Sequence, residues 1–142
     1  MGTINEAVVD SSVIVARYRP EQQSEWAKQK MTEYNYFHIL DLNYYEVANA
    51  LKHKTSEKLT SKDVDAAFSK AVKLLNLFAL HSFSEVIDDA FALAMKFDIT
   101  VYDAAFVTLA EHLGIRLLTL DGKLAKKLEH TKQYNLLECP AK

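Results

Sequence analysis

Asp10, Glu46, Asp103 and Asp121 are the side chains in this sequence on which chemistry can be built. Asp10 and Asp121 each close a short apolar run that reads as a strand. Glu46 and Asp103 each fall in the first turn of a predicted helix. In an α/β sheet protein, strand ends and the helix starts beside them gather on one edge, and ligands bind there. Four carboxylates on one edge repel one another unless something neutralises them. A divalent cation does so with oxygen ligands. Mg²⁺ keeps several waters and takes one or two protein carboxylates together with substrate phosphate oxygens. Such an ion acidifies and orients a water for attack on phosphorus, and a second ion can steady the leaving oxygen. The pattern therefore points to metal-dependent chemistry on a phosphate-bearing substrate. Ser11, Ser12 and Thr119 place hydroxyls beside these acids, where they can orient ligands or water or simply close turns.

A structural reading of the same acids competes with this one. Asn43-x-x-Glu46 and Thr100-x-x-Asp103 both have the capping-box spacing, in which an acidic side chain reaches back to the N-cap amide. Thr60-x-x-Asp63 and Ser82-x-x-Glu85 share it, and Asp121-Gly122 is an ordinary turn dipeptide. Three of the four acids nonetheless have settings that argue for a shared ligand. Glu46 lies on a largely apolar face, Asp103 precedes Ala104-Ala105-Phe106-Val107, and Asp10 has no basic neighbour in sequence. Isolated buried carboxylates cost several kcal/mol, of order, unless paired or bound to a cation.

The elements that must position these residues follow from apolar periodicity. Ala7-Val8-Val9 predicts a first strand, with helix from Val13 onward and again from Glu21 to Met31. Tyr36 to Leu40 is β-rich, and Asn43 to His53 is helical. Ser56 to Ser61 reads as a turn. Val64, Phe68, Ala71, Val72 and Leu75 mark an amphipathic helix. A short strand is expected at Leu77–Leu80, and helices at 86–97 and 102–113, with Gly114 as the residue that ends the latter. Residues 115–120 form the strongest predicted strand, followed by helix from Lys123 to Leu128 and an edge strand near 135–137. Strands separated by helices need crossover connections and hence a mostly parallel sheet. The expected architecture is one α/β domain over residues 1–142, a three-layer α/β/α sandwich.

Composition narrows the function classes. The 142 residues carry a formal net charge of −2, which argues against a strongly basic nucleic-acid binder while leaving room for a local basic rim. The single cysteine, Cys139, excludes an internal disulfide and a Cys-based zinc site. The five histidines show no metal-ligand spacing. No apolar run approaches the ~20 residues that span a membrane, and Met1 to Glu6 lacks the pattern of a signal peptide, so a cytoplasmic location with no membrane partner is expected. An acidic site that holds a polyanion needs cations around it. Arg17, Arg19, Lys52 and Lys54 follow the first two acidic blocks, and Lys123, Lys126, Lys127 and Lys132 follow the last. Of these, Arg17, Lys123 and Lys126 are the expected RNA contacts.

Four blocks carry a family resemblance: Val8-Val9-Asp10-Ser11-Ser12-Val13-Ile14; Glu46-Val47-Ala48-Asn49-Ala50-Leu51; Thr100 through Ala110, with Tyr102-Asp103-Ala104-Ala105 at its centre; and Leu118-Thr119-Leu120-Asp121. In order and spacing they resemble the successive signatures of PIN-domain ribonucleases, and most of all the VapC-type toxins of prokaryotic toxin–antitoxin pairs. The resemblance spans nearly the whole chain. It implies an α/β/α sandwich and cleavage of single-stranded RNA with Mg²⁺ or Mn²⁺. It implies ligation or water activation by Asp10, Glu46, Asp103 and Asp121, supported by Ser12 and Thr119. It further implies a homodimer and an antitoxin protein partner. The family pattern often carries Gly where Asp98 stands. Two other readings are open. One is a catalytically silent module of the same fold that binds RNA or an antitoxin. The other is a receiver-like phosphoryl acceptor, which would need a tight acidic pair near the N-terminus where only Glu6 and Asp10 stand.

Overall fold

The computed structural model describes residues 4–53 and 60–141. Five strands, β1 (Glu6–Val9), β2 (Tyr36–Leu40), β3 (Ala79–His81), β4 (Arg116–Leu118) and β5 (Leu137–Glu138), form one sheet in the order β3-β2-β1-β4-β5. Every pairing is parallel. Parallel strands are covered on both faces, which is why β1 reads as an unbroken apolar run. Ala7, Val8 and Val9 are all fully buried.

Pleating divides that run between two cores. Val8, Leu40 and Leu117 point to one face, while Ala7, Val9, Ile39 and Leu118 point to the other. The first core is closed by α5 (Ile87–Phe97), α6 (Val101–Leu113) and α7 (Gly122–Leu128). The second is closed by α1 (Ser11–Tyr18), α2 (Ser24–Thr32), α3 (Leu42–Lys52) and α4 (Ser61–Leu75). The expected three-layer sandwich is the observed one.

Chain direction across the sheet explains the layers and sets the site. The chain winds outward from β1 through β2 to β3, then returns past β1 to place β4 and β5 on its other side. Crossovers between parallel strands are right-handed, so reversing direction moves the helices to the opposite face. The reversal lies between β1 and β4. The connections leaving the carboxyl ends of these two strands therefore run to opposite faces, and the crevice between them is the usual ligand position in such sheets. α6 packs against both β1 and β4, and its run from Ala104 to Ala110 is buried all round.

Helix limits differ from the periodicity by one to three residues, where capping rather than apolar spacing sets the end. The strand expected over 115–120 is shorter, Arg116–Leu118, because Leu120 turns its amide to a side chain instead of a strand partner. The third strand is displaced by one to two residues, to Ala79–His81. The edge strand near 135–137 is mostly a 3-10 turn, Lys132–Leu136, before Leu137–Glu138 pairs with β4. The turn expected at Ser56–Ser61 lies mainly outside the described residues.

Two helices end in a left-handed residue. Gly114 (φ 67) closes α6, as its sequence position implies. Asp98 (φ 53) closes α5, which gives the physical reason a glycine suits that place. Lys127 on α7 donates to the Asp98 carbonyl at 2.7 Å and reaches its carboxylate at 3.2 Å. That carboxylate is fully exposed, so the ion pair adds little. Asp98→Gly is expected to change unfolding free energy by less than about 0.5 kcal/mol, as strain relief and added unfolded-state entropy offset. Asp98→Val, forced to the same φ, is expected to lose about 1–2 kcal/mol. Denaturant melts of the two variants check this.

Candidate active site

Asp10 follows β1 directly and caps α1. One of its oxygens, Oδ1, accepts the amides of Ser12 (3.0 Å) and Val13 (3.4 Å) and the Ser12 hydroxyl. The Ser12 oxygen in turn accepts the Leu120 amide at 3.0 Å. Asp10 itself donates its amide to the Leu118 carbonyl at 3.1 Å. A single serine thus stitches the end of β1 to the chain leaving β4, across the switch point. Thr119 is fully buried. Its hydroxyl accepts the Asp121 amide at 3.0 Å and is a hydrogen-bond partner of the Asp10 carboxylate.

Asp121 caps α7, accepting the amides of Lys123 and Leu124, each at 3.0 Å. Asp103 sits in the first turn of α6, where the Thr100 hydroxyl accepts its amide at 3.0 Å. Glu46 departs from its expected place. The N-cap of α3 is Asp41, not Asn43, so Glu46 lies in the second turn and the Asn43–Glu46 capping box does not form. Glu46 accepts instead from the Ser11 hydroxyl at 2.9 Å, linking α3 to the start of α1. Of the four spacings that suggest a capping box, the Thr60–Asp63 pair forms a complete one, at an exposed helix start remote from the acids.

Electrostatics tie the four acids together. Asp10, only 9% exposed, is pushed up from 3.8 to about 6, chiefly by burial, with the Asp103 charge adding to the rise. Hydrogen bonds from Ser12, Thr119 and the Val13 amide oppose it. Glu46 is raised by burial and by Asp103, against its bond from Ser11. Asp103 is raised by burial and by Asp121, against its bond with Thr100. Asp103 therefore couples to all three other carboxylates, which places the four in one electrostatic neighbourhood.

The donors are all hard oxygens, as Mg²⁺ or Mn²⁺ require. Among the described residues, no three or more His, Cys, Asp or Glu side chains converge into a ready-made cage. The set suits an ion held by one or two carboxylates with the remaining positions left to water and substrate, the habit of Mg²⁺ rather than of a structural zinc.

A groove of about 310 Å³ takes in Glu46, one of the four acids, and is bordered also by Ser11, Ser12, Arg19, Ala50 and Leu120. Leu120 also borders a shallow depression formed by Asp121, Gly122, Lys123 and Lys126. The expected cations Lys123 and Lys126 are thus exposed beside Asp121. Arg17 is not in this groove. It stacks on Tyr18 at 5.6 Å and borders a neighbouring depression with Pro20 and Lys28. Arg19 lines the groove in its place, held by Glu21 at 2.9 Å and by the Ala50 carbonyl at 3.3 Å. Lys127 is engaged with Asp98, and Lys54 lies outside the described residues. The histidines stand apart from the acids. His38 and His81 pair at 2.9 Å across adjacent strands, with Glu6 on His38 at 2.8 Å, and His112 meets Asp89 at 2.7 Å.

The site residue that sequence reading missed is Asn43. It is completely buried and bonded to β1, β2 and Ser11. A buried amide just beyond a strand end was its one visible signal.

Comparison with known proteins gives a consistent picture. The PIN domain family matches residues 7–128. Ribonuclease VapC3 of Pyrobaculum aerophilum is 46% identical over 121 residues, covering 84% of this chain and 92% of that protein. A solved protein from the same organism superposes with a TM-score of 0.65 at 28% identity, over 91% of this chain and 81% of the other. A toxin–antitoxin complex from Klebsiella pneumoniae contains a chain of the same fold, with TM-score 0.69 at 16% identity, covering 96% and 98% of the two chains.

The raised pKa of Asp10 has a stability consequence. Between 3.8 and about 6 the folded chain holds a proton that the unfolded chain has released, so stability falls as pH rises through that window. At neutral pH the ionised, buried carboxylate is a standing cost. Asp10→Asn is therefore expected to stabilise the metal-free protein at neutral pH by about 1–3 kcal/mol, with the gain vanishing below about pH 4. Thermal melts across pH check it. A variant less stable than the parent at neutral pH would contradict it.

Proposed function

The chain belongs to the PIN-domain family, and on that premise we propose that it is a divalent-metal-dependent endoribonuclease that cleaves single-stranded RNA, acting as the toxin of a toxin–antitoxin pair. The observation that carries the proposal is the coupling of Asp103 to Asp10, Glu46 and Asp121 at the switch point between β1 and β4. The 46% identity with a protein named a ribonuclease supports the same reading. So does the fold shared with a component of a toxin–antitoxin complex. A silent binding module is disfavoured because all four acids are present and mutually arranged.

The residues divide the work as follows. Asp10, Asp103 and Asp121, with Glu46, would hold Mg²⁺ or Mn²⁺, directly or through water. The ion, when bound, supplies positive charge to a scissile phosphate and lowers the pKa of a water. Asp10 is held by the start of α1 through Oδ1 and by the Thr119 hydroxyl. Glu46, fixed by Ser11 and raised in pKa by burial, would accept a proton from the attacking water. Ser12 and Thr119 hold Asp10 in place. Arg19, Lys123 and Lys126 line the approaches and would bind flanking phosphates, an electrostatic and salt-sensitive role. Arg17 serves further out.

Partner and context follow from the same reading. A second copy of the chain and an antitoxin protein are the expected partners. Among the described residues, no helix is long and apolar enough to cross a membrane. We take residues 1–142 as one cytoplasmic domain.

RNA cleavage by the purified protein is expected to require Mg²⁺ or Mn²⁺ and to stop with EDTA. Asp103→Asn is expected to reduce it by more than about 100-fold while the fold persists. Lys123→Glu with Lys126→Glu is expected to weaken RNA binding several-fold and flatten its salt dependence by about one log unit per lost contact. EDTA-resistant cleavage, or full activity in Asp103→Asn, would refute the proposal.

A further inference from the structure

Asn43 has no role in the function described so far, yet it is the most completely satisfied buried polar side chain beside the acids. Its orientation is not ambiguous. The Leu40 amide can only donate, so the atom 2.8 Å from it is Oδ1. The Val9 carbonyl can only accept, so the atom 3.2 Å from it is Nδ2. The second Nδ2 proton then points to the Ser11 oxygen at 3.3 Å.

That bond decides what Ser11 does. A serine hydroxyl has one proton and can both donate and accept. With Asn43 donating to its oxygen, the Ser11 proton is directed outward, and its acceptor is Glu46 Oε1 at 2.9 Å. The relay Asn43 to Ser11 to Glu46 runs from a fully buried amide to the groove. The first link is rigid because Asn43 also ties the ends of β1 and β2 through backbone bonds. We propose that Asn43 is a positioning residue that fixes Glu46 through Ser11, setting the orientation in which this carboxylate meets a divalent ion.

A purely structural Asn43 would tie the strand ends and leave Glu46 unaffected. Two substitutions probe the relay, and Ser11→Ala is the one that separates these roles. Asn43→Asp keeps the size and an oxygen for the Leu40 amide but replaces the donor to Ser11 and to the Val9 carbonyl with an acceptor, so it loses the tie to β1 while turning the Ser11 proton toward residue 43 and away from Glu46. Ser11→Ala removes the relay while leaving both backbone bonds of Asn43 intact.

The inference rests on the metal-dependent reading, and the test distinguishes the two. Mn²⁺ binding is measured by calorimetry on the intact protein without RNA, with thermal melts as a folding control. Crystal structures of the metal-free parent and Asn43→Asp accompany it. Asn43→Asp and Ser11→Ala are each expected to weaken Mn²⁺ binding by about tenfold or more. The Asn43→Asp structure is expected to show Glu46 released from Ser11. In a cycle with Asn43→Ala, the double variant with Ser11→Ala is expected to be no weaker than Ser11→Ala alone. Parent-like Mn²⁺ affinity in Ser11→Ala, or fully additive losses, would overturn the positioning role. A folded parent that binds no Mn²⁺ would instead refute the metal reading, and the Ser11–Glu46 contact surviving in crystals of Asn43→Asp would then overturn the relay itself.

Discussion

Concentrated negative charge at one sheet edge is the constraint around which this fold is organised. Asp10 is buried where a carboxylate is disfavoured, and Asp103 raises the cost for both Asp10 and Glu46 while Asp121 raises it for Asp103. Folding alone does not remove that cost. It is tolerated because hydrogen bonds to the charged forms offset part of it, and because the arrangement is complementary to a cation. A protein selected only for stability would have replaced at least one of these acids. Perturbed acids gather where chemistry is done, which is the support these shifts lend to the proposed site.

Topology supplies the place and helix starts supply the anchors. The reversal of winding between β1 and β4 opens the crevice. Asp10 and Asp121 are both N-caps, so each uses one oxygen to close a helix. Hydroxyls fill the remaining needs. Ser12 joins the two strand ends, Thr119 serves Asp10 and the Asp121 amide, and Ser11 holds Glu46. The acids come from four elements, and each is held by hydrogen bonds with local or strand-end neighbours.

What the sequence made legible was whatever is written in local pattern. The β1 run, the Asp-Ser-Ser turn, the Tyr36–Leu40 strand and the Gly114 stop are all short-range signals, and each is present. Asp10 and Asp121 could be found because a strand end followed by an acidic N-cap is itself a local motif. Glu46 shows the limit. The spacing Asn43-x-x-Glu46 is the same whether the helix begins at Asp41 or Asn43, and only the Asp41 cap, which also accepts the Phe83 amide at 3.0 Å, decides it. Asn43 escaped for a related reason, since its partners Val9 and Ser11 lie 34 and 32 residues away. Arg17 and Arg19 cannot be ranked from sequence. Two residues apart at one helix end, they border a common depression, but Arg19 also lines the groove and Arg17 does not. The His38–His81 pair was likewise invisible, being a lateral contact between neighbouring strands.

The account stands or falls on whether the acids share an ion. The direct measurement is an anomalous difference map from crystals soaked in Mn²⁺. The account predicts a peak at the carboxyl ends of β1 and β4, about 2.1 Å from an oxygen of Asp10 or Asp103, with waters completing the shell. Density for manganese elsewhere, or none at this edge in crystals of protein that still cleaves RNA, would contradict it.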